Sequence, residues 1–187
     1  MICENTNPCF FKMLNEEEPS CKKGCLDKGK CQQGKIITCT DSAKTYYLGN
    51  PKRLTAAVVK IDGFVMDEKR PGRNKCDFVI LIGDSAHEPI AVLVELKGEN
   101  TDHAVTQIQA TLTALQGTLG KFERVYGRIL GTQTPDIHTK KYRDLQRMLM
   151  GKKYNGNLES RRWRHKKKKD DSPDDSVTVA ENGIILQ

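Results

Sequence analysis

The sequence predicts an α/β domain, α+β by strand direction, with a mixed central sheet of about four strands flanked by helices. Two nearly unbroken apolar runs, Phe78 to Ile82 and Ile90 to Val94, lie on either side of a short polar turn. A segment with apolar residues at helical spacing follows, and then another extended run. Neighbouring strands joined by a turn form an antiparallel pair, whereas strand–helix–strand is a crossover that makes its two strands parallel. The two directions together make the sheet mixed.

The elements follow in chain order. Residues 1–35 are rich in Cys, Lys and Glu, with a weak helical pattern from Phe10 to Glu18 and breaks at Gly24, Gly29 and Gly34. Lys35 to Thr40 has the β-branched content of a short strand, and Asp41 to Lys52 reads as loop. Lys52 to Met66 reads as mostly extended, and residues 67–75 contain Pro-Gly and form a polar connection. Cys76 to Ile82 is the next strand, Asp84 to Pro89 a turn, and Ile90 to Lys97 the strand after it. Both are apolar at almost every position, which implies cover on both faces. Thr101 or Asp102 caps a helix in which Val105, Ile108, Leu112, Leu115 and Leu119 share one face between His103 and Phe122. Arg124 to Gly131 is a further strand, and Tyr142, Leu145, Met148 and Leu149 mark a second helix ending near Gly151. An acidic linker, Asp170 to Asp175, precedes an Asn-Gly hairpin signal within residues 177–187. Three regions result: a cysteine-rich extension (1–50), a core (51–155), and a basic segment with linker and hairpin (156–187).

Charge is localised. Of 31 Lys and Arg residues, seven fall between Arg161 and Lys169, and the remainder balances the 24 acidic residues. Arg161, Arg162, Arg164, Lys166 and Lys167 therefore form a candidate nucleic-acid contact, with a solvated charge run as the plain alternative. No apolar run approaches the ~20 residues that span a bilayer. Met1-Ile2-Cys3-Glu4-Asn5 lacks the basic and apolar regions of a signal peptide. The expectation is a cytoplasmic protein without a membrane partner. Six of the seven cysteines precede residue 40. In a reducing compartment Cys21, Cys25, Cys31 and Cys39 are candidate ligands for Zn²⁺ or an iron–sulfur cluster. Their spacing lacks paired Cys-x2-Cys knuckles, and unliganded thiols are the competing reading.

Chemistry concentrates between Asp77 and Gln107. Asp77 begins one strand, and Glu95 and Lys97 end the next. Residues i and i+2 of a strand share a face, so Glu95 and Lys97 emerge together while Leu96 turns to the other layer. Burying a carboxylate and an ammonium at the end of an apolar strand is costly unless they are paired or bind a metal.

The order strand, strand with Asp77, strand with Glu95-x-Lys97, helix with Gln107, strand resembles the PD-(D/E)XK nuclease superfamily, also called restriction-endonuclease-like. Cys76-Asp77-Phe78-Val79-Ile80, Val94-Glu95-Leu96-Lys97-Gly98 and His103-Ala104-x2-Gln107-Ile108-x2-Thr111-Leu112 are similar to small bacterial members of that superfamily. The likeness covers residues 56–131. It implies metal-dependent hydrolysis of phosphodiester bonds in nucleic acid, DNA foremost. Asp77, Glu95 and the backbone carbonyl of Leu96 would hold Mg²⁺ or Mn²⁺, Lys97 would act on the attacking water, and Gln107 would position Lys97 or that water. An additional acid from an upstream helix would be Glu16, Glu17 or Glu18. Cutting both strands of a duplex is compatible with a homodimer. Two alternatives stand beside it: a non-catalytic nucleic-acid or protein-binding module on the same fold, and a thiol–metal protein served by the N-terminal cysteines.

Overall fold

The structure, a computed structural model, describes residues 25–27, 31–42, 44–63, 65, 74–83, 88–162 and 177–181. Its centre is a five-stranded sheet in the order β3–β4–β5–β6–β7, made of Thr55–Lys60, Phe78–Gly83, Ile90–Leu96, Arg124–Gly131 and Leu158–Arg162. β4 runs antiparallel to both β3 and β5, and β6 and β7 each run parallel to the strand before. Helix α1 (Thr101–Ala114) and a single short turn of helix, α2 (Gln116–Leu119), connect β5 to β6. Helix α3 (Lys140–Met150) connects β6 to β7. A second sheet has the order β1–β2–β8 (Ile36–Asp41, Lys44–Gly49, Val177–Glu181).

The two sheet faces are covered differently. Val79, Leu81, Ala91, Leu93, Val125 and Ile129 pack under Val105, Ile108 and Leu112 of α1 and Leu145 and Leu149 of α3. The alternate residues Ile80, Ile82, Val92, Val94 and Leu130 pack against Ile37, Cys39, Tyr46 and Leu48 of the second sheet. Every residue of β4 and β5 is buried. The expected two-sided cover is therefore present, supplied by helices on one face and by a sheet on the other. At roughly 25 cal/mol per Å² of apolar area, these two layers are the main source of stability.

Several boundaries differ from the sequence reading, each for a local reason. Asp41 to Lys52 is not a loop: Lys44–Gly49 is β2, paired antiparallel with β1 through a tight turn at Ser42, whose φ is 48°. Tyr46 and Leu48 supply its buried face, but the turn has no Gly or Asn to signal it. Helix α1 is capped by Asn100, whose side chain accepts from the His103 N–H, and it stops at Leu115 rather than running on to Phe122. Asn100 lies one residue before the expected caps, and Gly117 and Gly120 weaken the helix beyond Leu115. The central sheet has five strands because residues 158–162, expected in a basic segment outside the core, form β7. The strand Val177–Glu181 pairs parallel to β2. The second arm of the expected hairpin lies outside the described residues. No helix among the described residues is long and apolar enough to cross a membrane.

The connection from α3 into β7 is pressed against β6. Val125 N–H donates to Tyr154 O at 2.8 Å and Gly127 N–H to Asn157 O at 2.9 Å. A Cβ on Gly156 would collide with the main chain of Val125, so only glycine lets the two backbones approach this closely. Gly156→Ala should cost about 1–3 kcal/mol or more through overpacking, visible as a lower urea midpoint at unchanged m-value. An unchanged midpoint would mean that β7 is not held in this way.

Candidate active site

The site forms where one edge of the central sheet collects the amino end of β4 and the carboxyl ends of β5, β6 and β7. Phe78 is paired with Val94, so one step further out Asp77 stands opposite Glu95. Directly opposed residues of an antiparallel pair share a face. Ala91 and Leu93 belong to the helix-side core, and strand alternation gives Glu95 and Lys97 that same side.

Two hydrogen bonds brace the acids against each other's strands. The Asp77 N–H donates to Glu95 Oε2 at 3.2 Å, and the Leu96 N–H donates to Asp77 Oδ2 at 2.7 Å. The Lys97 N–H turns the other way, to Leu130 O at 2.6 Å, which leaves the Leu96 N–H directed at β4. Each carboxyl thus commits one oxygen to the main chain and keeps one outside that bond. Lys97 Nζ lies 2.8 Å from Glu95 Oε1. At that distance the ammonium donates a charge-assisted hydrogen bond to the buried Oε1, which has no main-chain donor among the described residues.

Helix α1 fixes the segment that carries Asp77. Gln107 Nε2 donates to Lys75 O at 2.7 Å, and Thr111 Oγ1 accepts the Cys76 N–H at 2.8 Å while donating to Gln107 O at 3.0 Å. Residues i and i+4 of a helix lie one above the other, so this pair grips both sides of a single peptide group, Lys75–Cys76, just before β4. Gln107 is nearly buried, and its Oε1 has no partner among the described residues. The helix therefore holds a main-chain carbonyl with one end of the Gln107 amide and leaves an acceptor at the other. Thr111 was assigned no role from the sequence. Its signal is a polar pair at i and i+4 within an otherwise apolar helix face.

Burial sets the protonation of the acids. Desolvation raises the Glu95 carboxyl from its ordinary 4.5 to about 8, and the charge of Asp77 adds to that rise while Lys97 opposes it. Desolvation also raises Asp77 from 3.8 to about 6, opposed by the Leu96 N–H and Lys97 and assisted by Asp41 and Asp62. The neighbouring Cys76 thiol is pushed up, first by burial and then by the charge of Glu95. Glu95 keeps its proton up to about pH 8 and pairs with the Lys97 ammonium once ionised, which is how the fold tolerates a carboxyl at the end of an apolar strand.

The other titratable and cysteine side chains distribute differently. Asp62, more than half exposed, pairs with Lys75 at 2.6 Å. His103 is exposed in the first turn of α1. Alternation along β7 sends Arg161 and Arg162 to opposite faces, and Arg161 pairs with Glu159 at 3.3 Å. Cys25 and Cys31 pack with the helix-side core, whereas Cys39 packs in the layer between the sheets. These three described cysteines therefore lie on two sides of the central sheet. Among the described residues no group of three or more His, Cys, Asp or Glu side chains is arranged to hold a metal ion. Glu16, Glu17, Glu18, Cys21, Arg164, Lys166 and Lys167 lie outside the described residues.

No family model, no curated protein and no solved structure matches this chain.

Raised carboxyl pKa values make stability depend on pH. Each acid holds its proton more tightly folded than unfolded. This contribution is complete below the ordinary values of 3.8 and 4.5, and it is lost as pH rises through about 6 for Asp77 and about 8 for Glu95. Glu95→Gln keeps the shape and an acceptor for the Asp77 N–H but cannot ionise. Urea unfolding in EDTA should show the variant gaining on wild type by on the order of a few kcal/mol between pH 5 and pH 9. Parallel pH profiles for the two proteins would disprove the buried, protonated Glu95.

Proposed function

We propose that this protein is a metal-dependent nuclease of the PD-(D/E)XK kind that hydrolyses phosphodiester bonds of nucleic acid, DNA foremost. The observation that carries the reading is the corner made by Asp77, Glu95 and Lys97. Two carboxyls on adjacent strands are each tied by one oxygen to the other strand, with an ammonium beside the second. The donor set suits a hard divalent cation. Mg²⁺ is commonly held by one or two carboxylates, with water and substrate phosphate completing its coordination. Glu95 Oε1 lies outside the main-chain bonds and already faces a cation, the Lys97 ammonium, which supports that fit. Asp77, Glu95 and the Leu96 carbonyl would hold Mg²⁺ or Mn²⁺. Bound there, such an ion polarises the phosphoryl oxygen and makes water a better nucleophile near neutral pH.

The chain's own groups do the rest. Glu95 and Asp77 must lose their protons to become ligands, so cation affinity rises with pH across the range in which they titrate. Release of Glu95 from its ion pair leaves the Lys97 ammonium to stabilise the extra charge on the phosphoryl group under attack. Gln107 Oε1 is available to accept from the attacking water while Nε2 keeps Lys75 O in place. One observation favours a second reading. Lys97 already serves as the charge partner of Glu95, and a protein that stays in that state would bind nucleic acid without cutting it.

Incubating the purified full chain with plasmid and linear DNA and Mg²⁺ or Mn²⁺ separates the two. Cleavage should require the cation and fall on the order of 10²–10³-fold in Lys97→Ala. The cation should also raise the melting temperature of wild type but not of Glu95→Gln. Cleavage undiminished by EDTA or by loss of Lys97 would refute the mechanism. DNA binding without cleavage, and without a cation-dependent melting shift, would establish the binding module instead.

A further inference from the structure

The same sheet edge carries a second positive group whose placement is fixed by strand register. Leu96 is paired with Leu130 and Leu130 with Arg161, so the next row outward is Lys97, Gly131 and Arg162. The pattern of buried neighbours puts this row on the helix side: Leu93, Ile129 and Leu158, at alternating positions from its members, all belong to that core. Two strand spacings of about 4.8 Å separate the ends of the row, so Arg162 lies roughly 10 Å from Lys97. The middle position is glycine, and a Cβ there would run into Thr101 and come within 2.9 Å of Gln133 O.

Arg162 is anchored. Its Nε donates to Thr132 O at 2.6 Å. The N–H and hydroxyl of Thr132 both donate to Gly98 O, at 2.9 and 2.8 Å, directly after Lys97. A continuous chain of contacts thus ties the guanidinium to the loop that holds the lysine. With Nε committed, the terminal amino groups of the exposed Arg162 have no partner among the described residues. A Cβ built on Gly98 meets nothing within 4 Å among the described residues, so none of them fills the space at that position. Arg161, by contrast, faces the other side and is paired with Glu159.

From this arrangement we propose that Arg162 is a phosphate-contact residue. It would grip a flanking phosphate of the nucleic-acid strand whose scissile phosphate lies at Lys97, so that the strand crosses the carboxyl ends of β5, β6 and β7 over Gly98. The inference rests on the nuclease reading above. A guanidinium fork fixed through one nitrogen suits a tetrahedral phosphate better than a flexible ammonium does. Such a contact sets the register of the strand without reading its sequence.

The test uses the full chain, with labelled DNA duplex and single strand bound in EDTA so that nothing is cut. Removing one phosphate contact should make the slope of log affinity against log salt shallower by about one, in Arg162→Ala relative to wild type. Affinity should drop severalfold, and single-turnover cleavage with Mg²⁺ or Mn²⁺ should fall with it. The melting temperature and the pH profile of cleavage should not move. Arg162→Lys keeps the charge and should restore the salt slope but not the full cleavage rate. A wild-type slope in Arg162→Ala, with cleavage intact, overturns the Arg162 assignment and leaves the nuclease reading standing. A wild-type chain that neither binds nor cuts DNA overturns both.

Discussion

The structure turns on one exchange of hydrogen bonds, in which each acid at the sheet edge accepts an N–H from the strand that carries the other. Glu95 Oε2 takes the N–H of Asp77, and Asp77 Oδ2 takes the N–H of Leu96. The strand pair ends at that point, so these N–H groups would otherwise be buried without acceptors, at about 1–3 kcal/mol each. The carboxyls therefore have a structural use before any chemical one. That use also fixes their directions, because an acid braced through one oxygen can vary little in where it presents the other. Preorganisation of this kind keeps charge-bearing groups in place without reorganisation at the moment of reaction.

Keeping the corner dry has a consequence for charge. Two layers of cover on the central sheet remove water from Glu95, and the carboxyl responds by holding its proton to about pH 8. Lys97 pulls the other way, and desolvation prevails because one ion pair at a partly exposed ammonium does not replace a full hydration shell. A divalent cation would change that balance, since its charge exceeds that of the lysine and the freed carboxylate would become its ligand. The same burial that destabilises the ionised apo site would strengthen electrostatic interactions within an occupied one.

Much of this was legible in the sequence, and the misses have physical causes. Apolar runs with a polar turn between them gave β4 and β5, and the spacing of Val105, Ile108 and Leu112 gave the crossover helix with its parallel successor. Period-two geometry placed Glu95 and Lys97 together. Strand β2 was missed because its turn at Ser42 lacks the Gly or Asn that marks a two-residue hairpin, although Tyr46 and Leu48 alternate correctly. Strand β7 was hidden because Arg161 and Arg162 look like part of a charge run. Edge position explains them: β7 buries Leu158 but leaves Arg162 exposed. Composition says nothing about which cationic side chain points where, so only register could separate Arg161 from Arg162. The clamp by Gln107 and Thr111 was half visible, since the glutamine was assigned to the water or lysine and its grip on Lys75 O needs three dimensions. The four-cysteine grouping treated residues close in sequence as close in space, and Cys39 shows why that fails. Cys39 lies within β1 of the second sheet, and the central sheet separates it from Cys25 and Cys31.

The sheet's change of direction explains why so much chemistry collects at one edge. An antiparallel neighbour brings the start of β4 to where β5 ends, and parallel neighbours bring the ends of β6 and β7 to the same place. Here the loop after β5 rises into α1, and α1 returns through Gln107 and Thr111 to grip the start of β4. The acids, the lysine and the amide are thus joined by three independent routes: strand register, main-chain hydrogen bonds and a helix clamp. Disturbing one route, by replacing Thr111 for instance, would loosen Asp77 without touching any group that carries charge. That separation allows the geometry of the corner and its electrostatics to be altered independently.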